Sequence, residues 1–152
     1  MFNPRLNGRW VLQMVKRKNK SVAKLVDEAA TLLQLLVRLK AANDNGYVSC
    51  VVCGVSRHYL DGMQGGHFIS RGKLATKLMV ENVHPECRGC NMPGGGHEAG
   101  WASYMLETYG KEFIDELHSI SRTVKKYTRS EVIEIKKDLS TQIKEHECRV
   151  CR

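Results

Sequence analysis

A chain of 152 residues is long enough for one compact domain with extensions and too short for two large domains joined by a linker. Its 24 lysines and arginines outnumber 16 acidic residues and leave a net charge of +8, a balance that points to a polyanionic partner, foremost nucleic acid. No apolar run of about 18 residues occurs, which excludes a membrane-spanning helix, and the basic N-terminus has neither a secretory apolar core nor a presequence pattern, so the expectation is a soluble intracellular protein.

Residues 1–20 contain Arg5, Arg9, Lys16, Arg17, Lys18 and Lys20 and no acid, so this segment alone carries +6 of the +8. It reads either as a solvated tail or as an arm that contacts phosphates. Over residues 21–46 the apolar positions Val22, Leu25, Val26, Ala29, Leu32, Leu33, Leu36, Val37 and Leu39 recur mostly at three- and four-residue steps, which predicts a helix with one face buried. Ser21 is placed to cap it, and Asn43-Asp44-Asn45-Gly46 to stop it. The apolar surface exceeds a single stripe; it serves as ordinary core and leaves room for a homodimer contact.

Residues 47–100 read as the chemical centre of the chain. Tyr47-Val48-Ser49 forms a short strand leading into Cys50-Val51-Val52-Cys53-Gly54, where Gly54 permits the tight turn that aims amide N–H groups at two thiolates. Strand-like segments are expected at Tyr59–Leu60, Gly66–Ser70 and Leu78–Val80, separated by turns rich in glycine and lysine. The 93–96 Pro-Gly-Gly-Gly run is loop. In residues 101–152, together with the three positions before them, helices are expected at Glu98–Tyr109, closed by Gly110, at Lys111–Arg122, and from Ser130 to about Glu147. Ser130 or Thr128 would cap the last, with Val132, Ile135, Leu139 and Ile143 as its seam. The fold class expected is α+β.

All six cysteines fall in Cys-x-x-Cys pairs: Cys50/Cys53, Cys87/Cys90 and Cys148/Cys151. Disulfide frameworks rarely space every cysteine this way, and two such pairs make one tetrahedral Zn2+ site, with a redox dithiol or inert core cysteines as the alternatives. The third pair, with His146 beside it, offers up to three ligands: it forms part of a second zinc site completed by another residue or subunit, or it is a terminus carrying free thiols. Closing Cys50, Cys53, Cys87 and Cys90 on one zinc would bring His67, Asn82 and Asn91 together between and beside the knuckles. A histidine near neutrality, a metal-binding side chain and an amide are the parts that phosphodiester hydrolysis needs.

The order Cys-x-x-Cys, Gly66-His67, then Asn82-Val83-His84-x-x-Cys87-x-x-Cys90-Asn91 resembles the HNH, or ββα-metal, endonucleases, and within them the NinG (Rap) recombination endonuclease family of lambdoid phages. The resemblance runs from Cys50 to Asn91, with a weaker echo at Tyr104–Gly110. It implies a zinc-clamped ββα-metal, treble-clef-like core with flanking helices. It also implies His67 as general base, Asn82 as the asparagine that braces the catalytic loop, and Asn91 as ligand of a catalytic Mg2+ or Mn2+. Many members place Asp or His directly before the base, where this chain has Gly66. Asp61, His84 and His97 are the candidates to complete that metal site, as is a weakly held ion with several waters.

The resemblance further implies cleavage of branched DNA such as Holliday junctions or D-loops, in the cytoplasm of a bacterial host. Arg71 and Lys73 join the basic arm as candidate DNA contacts. Two other readings stay open: a zinc-stabilised, non-catalytic DNA-binding accessory of recombination, and a sequence-specific nuclease of the homing or restriction type.

Overall fold

The computed structural model describes residues 20–92 and 98–150. The arm residues Arg5, Arg9, Lys16, Arg17 and Lys18, the 93–96 loop, His97 and Cys151 lie outside the described residues.

Helix α1 (Val22–Ala41) begins where the Ser21 hydroxyl accepts the Lys24 amide at 3.2 Å, satisfying one of the amides that a helix start leaves open. Its apolar face is sunk into the core, with Leu33, Leu36 and Leu39 fully buried. The last helix, α4 (Arg129–Val150), opens on a reciprocal cap in which Thr128 Oγ1 accepts the Glu131 amide and the Glu131 carboxylate accepts the Thr128 amide. The two helices lie side by side and run the same way. Val132 packs with Leu25, Val26 and Ala29, Leu139 and Ile143 join the cluster of Leu33, Leu36 and Val37, and Lys136 bridges to Glu28 between them.

Two antiparallel hairpins sit beside this pair. Strands β1 (Tyr47–Ser49) and β2 (Ser56–His58) form the first, with Tyr47 opposite His58. The Cys50–Cys53 turn is its tip. Strands β3 (Met63–His67) and β4 (Val83–Cys87) form the second, in which Gly65 stands opposite Pro85 and Gly66 opposite His84. The short helix α2 (Leu74–Lys77) and a 3-10 turn (Val80–Asn82) fill the connection between β3 and β4. Helix α3 (Glu98–Ser121) covers the face of this hairpin away from α1; it breaks at Gly110, whose φ of 79° and ψ of 168° no helix contains. Among the described residues no helix is long and apolar enough to cross a membrane.

The architecture is thus mixed helix and small sheet, an α+β arrangement, while the strand positions need correction. The strand expected at Tyr59–Leu60 is Ser56–His58, and Tyr59 and Leu60 turn away from it, since a two-stranded ribbon with Ser56 and Arg57 exposed carries no apolar alternation to mark it. The strand expected at Gly66–Ser70 starts earlier and stops at His67, because beyond it the Ile69 amide bonds the Asn82 side chain at 2.7 Å in place of a strand partner. Leu78–Val80 is not a strand. The chain is helical on either side of Met79 and extends only from Val83, where Pro85 disguises β4: its carbonyl turns outward to the Val51 amide, and its missing N–H lies opposite Gly65.

Candidate metal centre and cavity

Gly54, at φ 75°, closes the first knuckle as its amide bonds the Cys50 carbonyl at 2.9 Å. In the second, the Cys90 and Asn91 amides both donate to the Cys87 carbonyl. The Val51 amide ties the first knuckle to Pro85 of β4, two residues before Cys87. As a result the sulfurs of Cys50, Cys53, Cys87 and Cys90 all lie within 4.8 Å of one another. Cys53 Sγ and Cys87 Sγ are 3.8 Å apart, and four Zn–S bonds of about 2.3 Å at tetrahedral angles require roughly that separation. Burial pushes the Cys50 and Cys90 thiols up, while the Val55 amide pulls Cys53 down. Thiols this crowded ionise together only around a cation, and the set fits a structural zinc.

The two glycines before His67 serve opposite faces of the β3–β4 hairpin. At Gly65 an added Cβ would stand 2.7 Å from the Cα of Gln34, so α1 lies directly on the strand. On the other face, an added Cβ at Gly66 would overlap the Glu86 carboxylate and approach the Glu86 Cβ to 2.9 Å. Glu86 is buried and accepts the Trp101 indole N–H at 3.0 Å, which fastens α3 to the hairpin.

Because α1 lies so close, its Gln34 and Arg38 share one cavity of about 470 Å3 with Gln64 and His67 of β3. Arg71 enters from the loop after β3 and Asn91 from the end of the second knuckle; the Asn91 amide donates to Gln64 Oε1 at 2.5 Å. His67 Nε2–H donates to the Lys77 carbonyl at 3.1 Å, and its Nδ1, left as a lone-pair acceptor, is buried with no partner among the described residues. Burial holds the imidazole pKa below the ordinary histidine value; the Lys77 carbonyl opposes that, while the positive charges of Arg71 and Lys77 add to it. The ring is therefore neutral near pH 7, its tautomer set by a backbone carbonyl.

His67, Asn91 and Arg71 thus meet around this cavity, and the other sequence candidates among the described residues do not. Asn82 is fully buried. Its Oδ1 accepts the Ile69 amide and its Nδ2 donates to the Ile69 and Thr76 carbonyls, at 2.7 to 3.0 Å, which ties down both ends of the 69–76 loop carrying Arg71. His84 points into the α3 side: Nε2–H donates to the Glu81 carbonyl, Nδ1 accepts the Tyr104 hydroxyl, and Trp101 and Tyr109 enclose the ring. With both nitrogens engaged, His84 serves packing on the α3 side and stands outside the cavity lining. Asp61 lies in the turn between β2 and β3, outside the cavity lining. Lys73 precedes α2 on the surface, and Lys20 is paired with Glu28. His146 and Cys148 stand on the last turns of α4 and form no cluster of three ligands among the described residues.

Several cavity or hairpin residues escaped sequence reasoning, Gln64 and Ser70 of the cavity lining among them. Glu86 looked like spacer between His84 and Cys87. Gln34 and Arg38, four apart within the otherwise apolar Leu32–Leu39 stretch of α1, carried the one usable signal, a polar notch in a buried face.

No curated protein and no solved structure shows significant similarity to the chain. The family model described as the bacteriophage lambda NinG protein matches residues 6–149, nearly the whole length, including every element described above except the end of α4. The chain belongs to the bacteriophage lambda NinG family.

Proposed function

We propose that the protein is an HNH-type DNA endonuclease of phage recombination that cuts branched DNA such as Holliday junctions or D-loops. The observation that carries this reading is the state of His67: neutral, oriented through Nε2–H by the Lys77 carbonyl, with an unpartnered Nδ1, in a cavity it shares with Asn91 and two arginines. A general base needs a lone pair, a fixed ring and a pKa near or below the working pH. Nδ1, the nitrogen without a partner, is the one that takes a proton from water, once a shift of the ring or of its cover opens this buried atom to the cavity, and Arg71 supplies positive charge near the phosphate. The zinc-clamped hairpin followed by α3 supports a ββα-metal core, with Asn82 positioning the loop and taking no part in proton transfer.

Mg2+ and Mn2+ are bound through carboxylate and phosphate oxygens. The described lining offers Asn91, Gln64 and Ser70 and no carboxylate, so these residues alone do not make a resident divalent site. The same shortage favours a second reading, a zinc-stabilised DNA-binding accessory protein without catalysis. Purified protein assayed on matched linear, flap and four-way substrates, with and without magnesium, separates the two. Cleavage of the four-way substrate that is lost in His67→Ala, with binding retained, supports the nuclease. Binding without cleavage on any substrate supports the accessory protein, and cutting of linear duplex at one fixed sequence replaces both with a sequence-specific nuclease.

A further inference from the structure

Arg38 poses a charge problem that the fold does not answer by itself. Its side chain is half-buried. Nε donates to the Gln34 carbonyl at 2.9 Å, and Nη1 donates to the Tyr59 and Met63 carbonyls at 2.7 and 2.8 Å. These bonds fix the plane of the guanidinium and bring no negative charge to it. Arg38 makes no ion pair among the described residues. Burial pulls its pKa down, yet a guanidinium keeps its proton at any working pH. A cation drawn partly out of water without a counter-charge is costly, and neutral donors would tie the same carbonyls at less expense. The remaining group, Nη2, enters none of these bonds, and the residue borders the His67 cavity.

Arg71 borders the same cavity, exposed and without an ion pair. No aspartate or glutamate lines it among the described residues. Asp27, which shares the adjoining hollow with Arg71, is held by Lys77 at 2.6 Å. The cavity therefore gathers two permanent cations and a neutral imidazole, with amide and hydroxyl groups between them. That composition suits an oxyanion with two or more acceptor atoms, and a planar guanidinium matches the paired oxygens of a phosphate group.

We infer that Arg38 and Arg71 form a phosphate-binding site in this cavity, with Arg38 as its pre-oriented member. The inference rests on the nuclease reading for the source of the phosphate, a DNA backbone diester, and not for the existence of the site. Arg38 is fixed before the ligand arrives, so its fork loses little freedom on binding. Arg71 closes from the exposed loop that Asn82 braces. Phosphate bound there would also raise the His67 pKa, because a nearby anion favours the imidazolium.

The test uses zinc-loaded, full-length protein labelled with 15N at arginine and histidine, in solutions of matched ionic strength without magnesium. Inorganic phosphate is titrated in one arm and a short DNA duplex in the other, with chloride as control. The expected result is a saturable shift of the Arg38 and Arg71 side-chain resonances and an upward move of the His67 titration midpoint by about half a unit to one unit. Arg38→Met should weaken phosphate binding about tenfold or more and abolish the His67 shift, an effect that loss of the carbonyl ties alone would not produce. Arg71→Met, which removes no structural bond, gives a second variant with the same expected direction should Arg38→Met fail to fold. Saturation by both ligands, or by duplex alone, upholds the site and distinguishes a general phosphate site from a backbone site. Arginine resonances that ignore both ligands, or a His67 shift that persists in Arg38→Met, overturn it. Phosphate binding without cleavage of any substrate leaves the site standing and removes the nuclease reading; cleavage by a protein whose Arg38 ignores phosphate does the reverse.

Discussion

The Glu86 carboxylate occupies the volume that a side chain at Gly66 would need, reaching across from the neighbouring strand while its other oxygen accepts the Trp101 indole. Gly66→Ala should therefore cost about 1–3 kcal/mol as an overpacking change, measured by urea denaturation of the zinc-loaded protein. In a double-mutant cycle with Glu86→Ala the two substitutions should couple favourably by more than about 0.5 kcal/mol. Additive effects would mean that the carboxylate does not hold position 66 at glycine.

Zinc is expected as a folding ligand. Elemental analysis should find a zinc that disappears in Cys50→Ser and Cys87→Ser, and both variants should lose the cooperative melt of the hairpin region, because the site that binds the metal exists only when the chain is folded. A Cys87→Ser protein that melts like the parent would remove the clamp from the account.

His67→Ala should fold normally and cleave slower by about 10²–10⁴-fold, the range for a lost general base. If the DNA phosphate and Asn91 together hold the divalent ion in the cleaving complex, Asn91→Ala should recover part of its activity at high magnesium or manganese, and Asn91→His should keep activity. Since burial lowers the folded pKa of His67, kcat/KM should rise with pH through a midpoint below the ordinary value of about 6.5 and level off above it. Stability follows the same sign. As pH falls through about 6.5 the unfolded chain takes up a proton that folded His67 still refuses, so stability is lost with acid until the folded pKa is passed.

Asn82→Ala should be among the more damaging single changes outside the zinc site, near 3 kcal/mol, because it strands the buried Ile69 amide and two carbonyls at once. Thermal denaturation measures the loss. Asn82→Asp should be no milder, since a carboxylate cannot donate to the Ile69 and Thr76 carbonyls and would bury a charge.

Deletion of residues 1–19 removes five of the six basic residues of the arm and leaves Lys20 in its pair with Glu28. DNA affinity should fall on linear and branched forms alike, and the log–log salt slope should flatten by about 0.9 for each duplex phosphate that the arm no longer neutralises. An unchanged slope would make the arm a tail that touches no phosphate.

Both long flanking helices were legible because their apolar faces repeat over five or more turns and their caps, Ser21 and Thr128, are local in sequence. The zinc set was legible from spacing alone, for the chelate fixes which residues meet. The β3–β4 register was not, because a strand written Met-Gln-Gly-Gly-His against Val-His-Pro-Glu-Cys has neither alternation nor a short turn to align it. For the same reason His84 was read as a candidate for the catalytic metal site and Glu86 as spacer, when strand alternation sends both to the α3 side. Arg38 joined the cavity only through the close approach of α1 to Gly65, a tertiary fact with no counterpart in local pattern.

The parallel pairing of α1 with α4 also bears on how the protein is made. Lys136 reaches Glu28 across 108 positions of chain, so the part of the α1 face that packs on Val132 stays uncovered until α4 has been made. Pairings of such long sequence separation slow folding, and an interrupted chain would present Leu25, Val26 and Ala29, which pack on Val132, to whatever is nearby. Truncation within α4 should therefore yield aggregate in the cell, and the zinc hairpin, however well formed, would not rescue it.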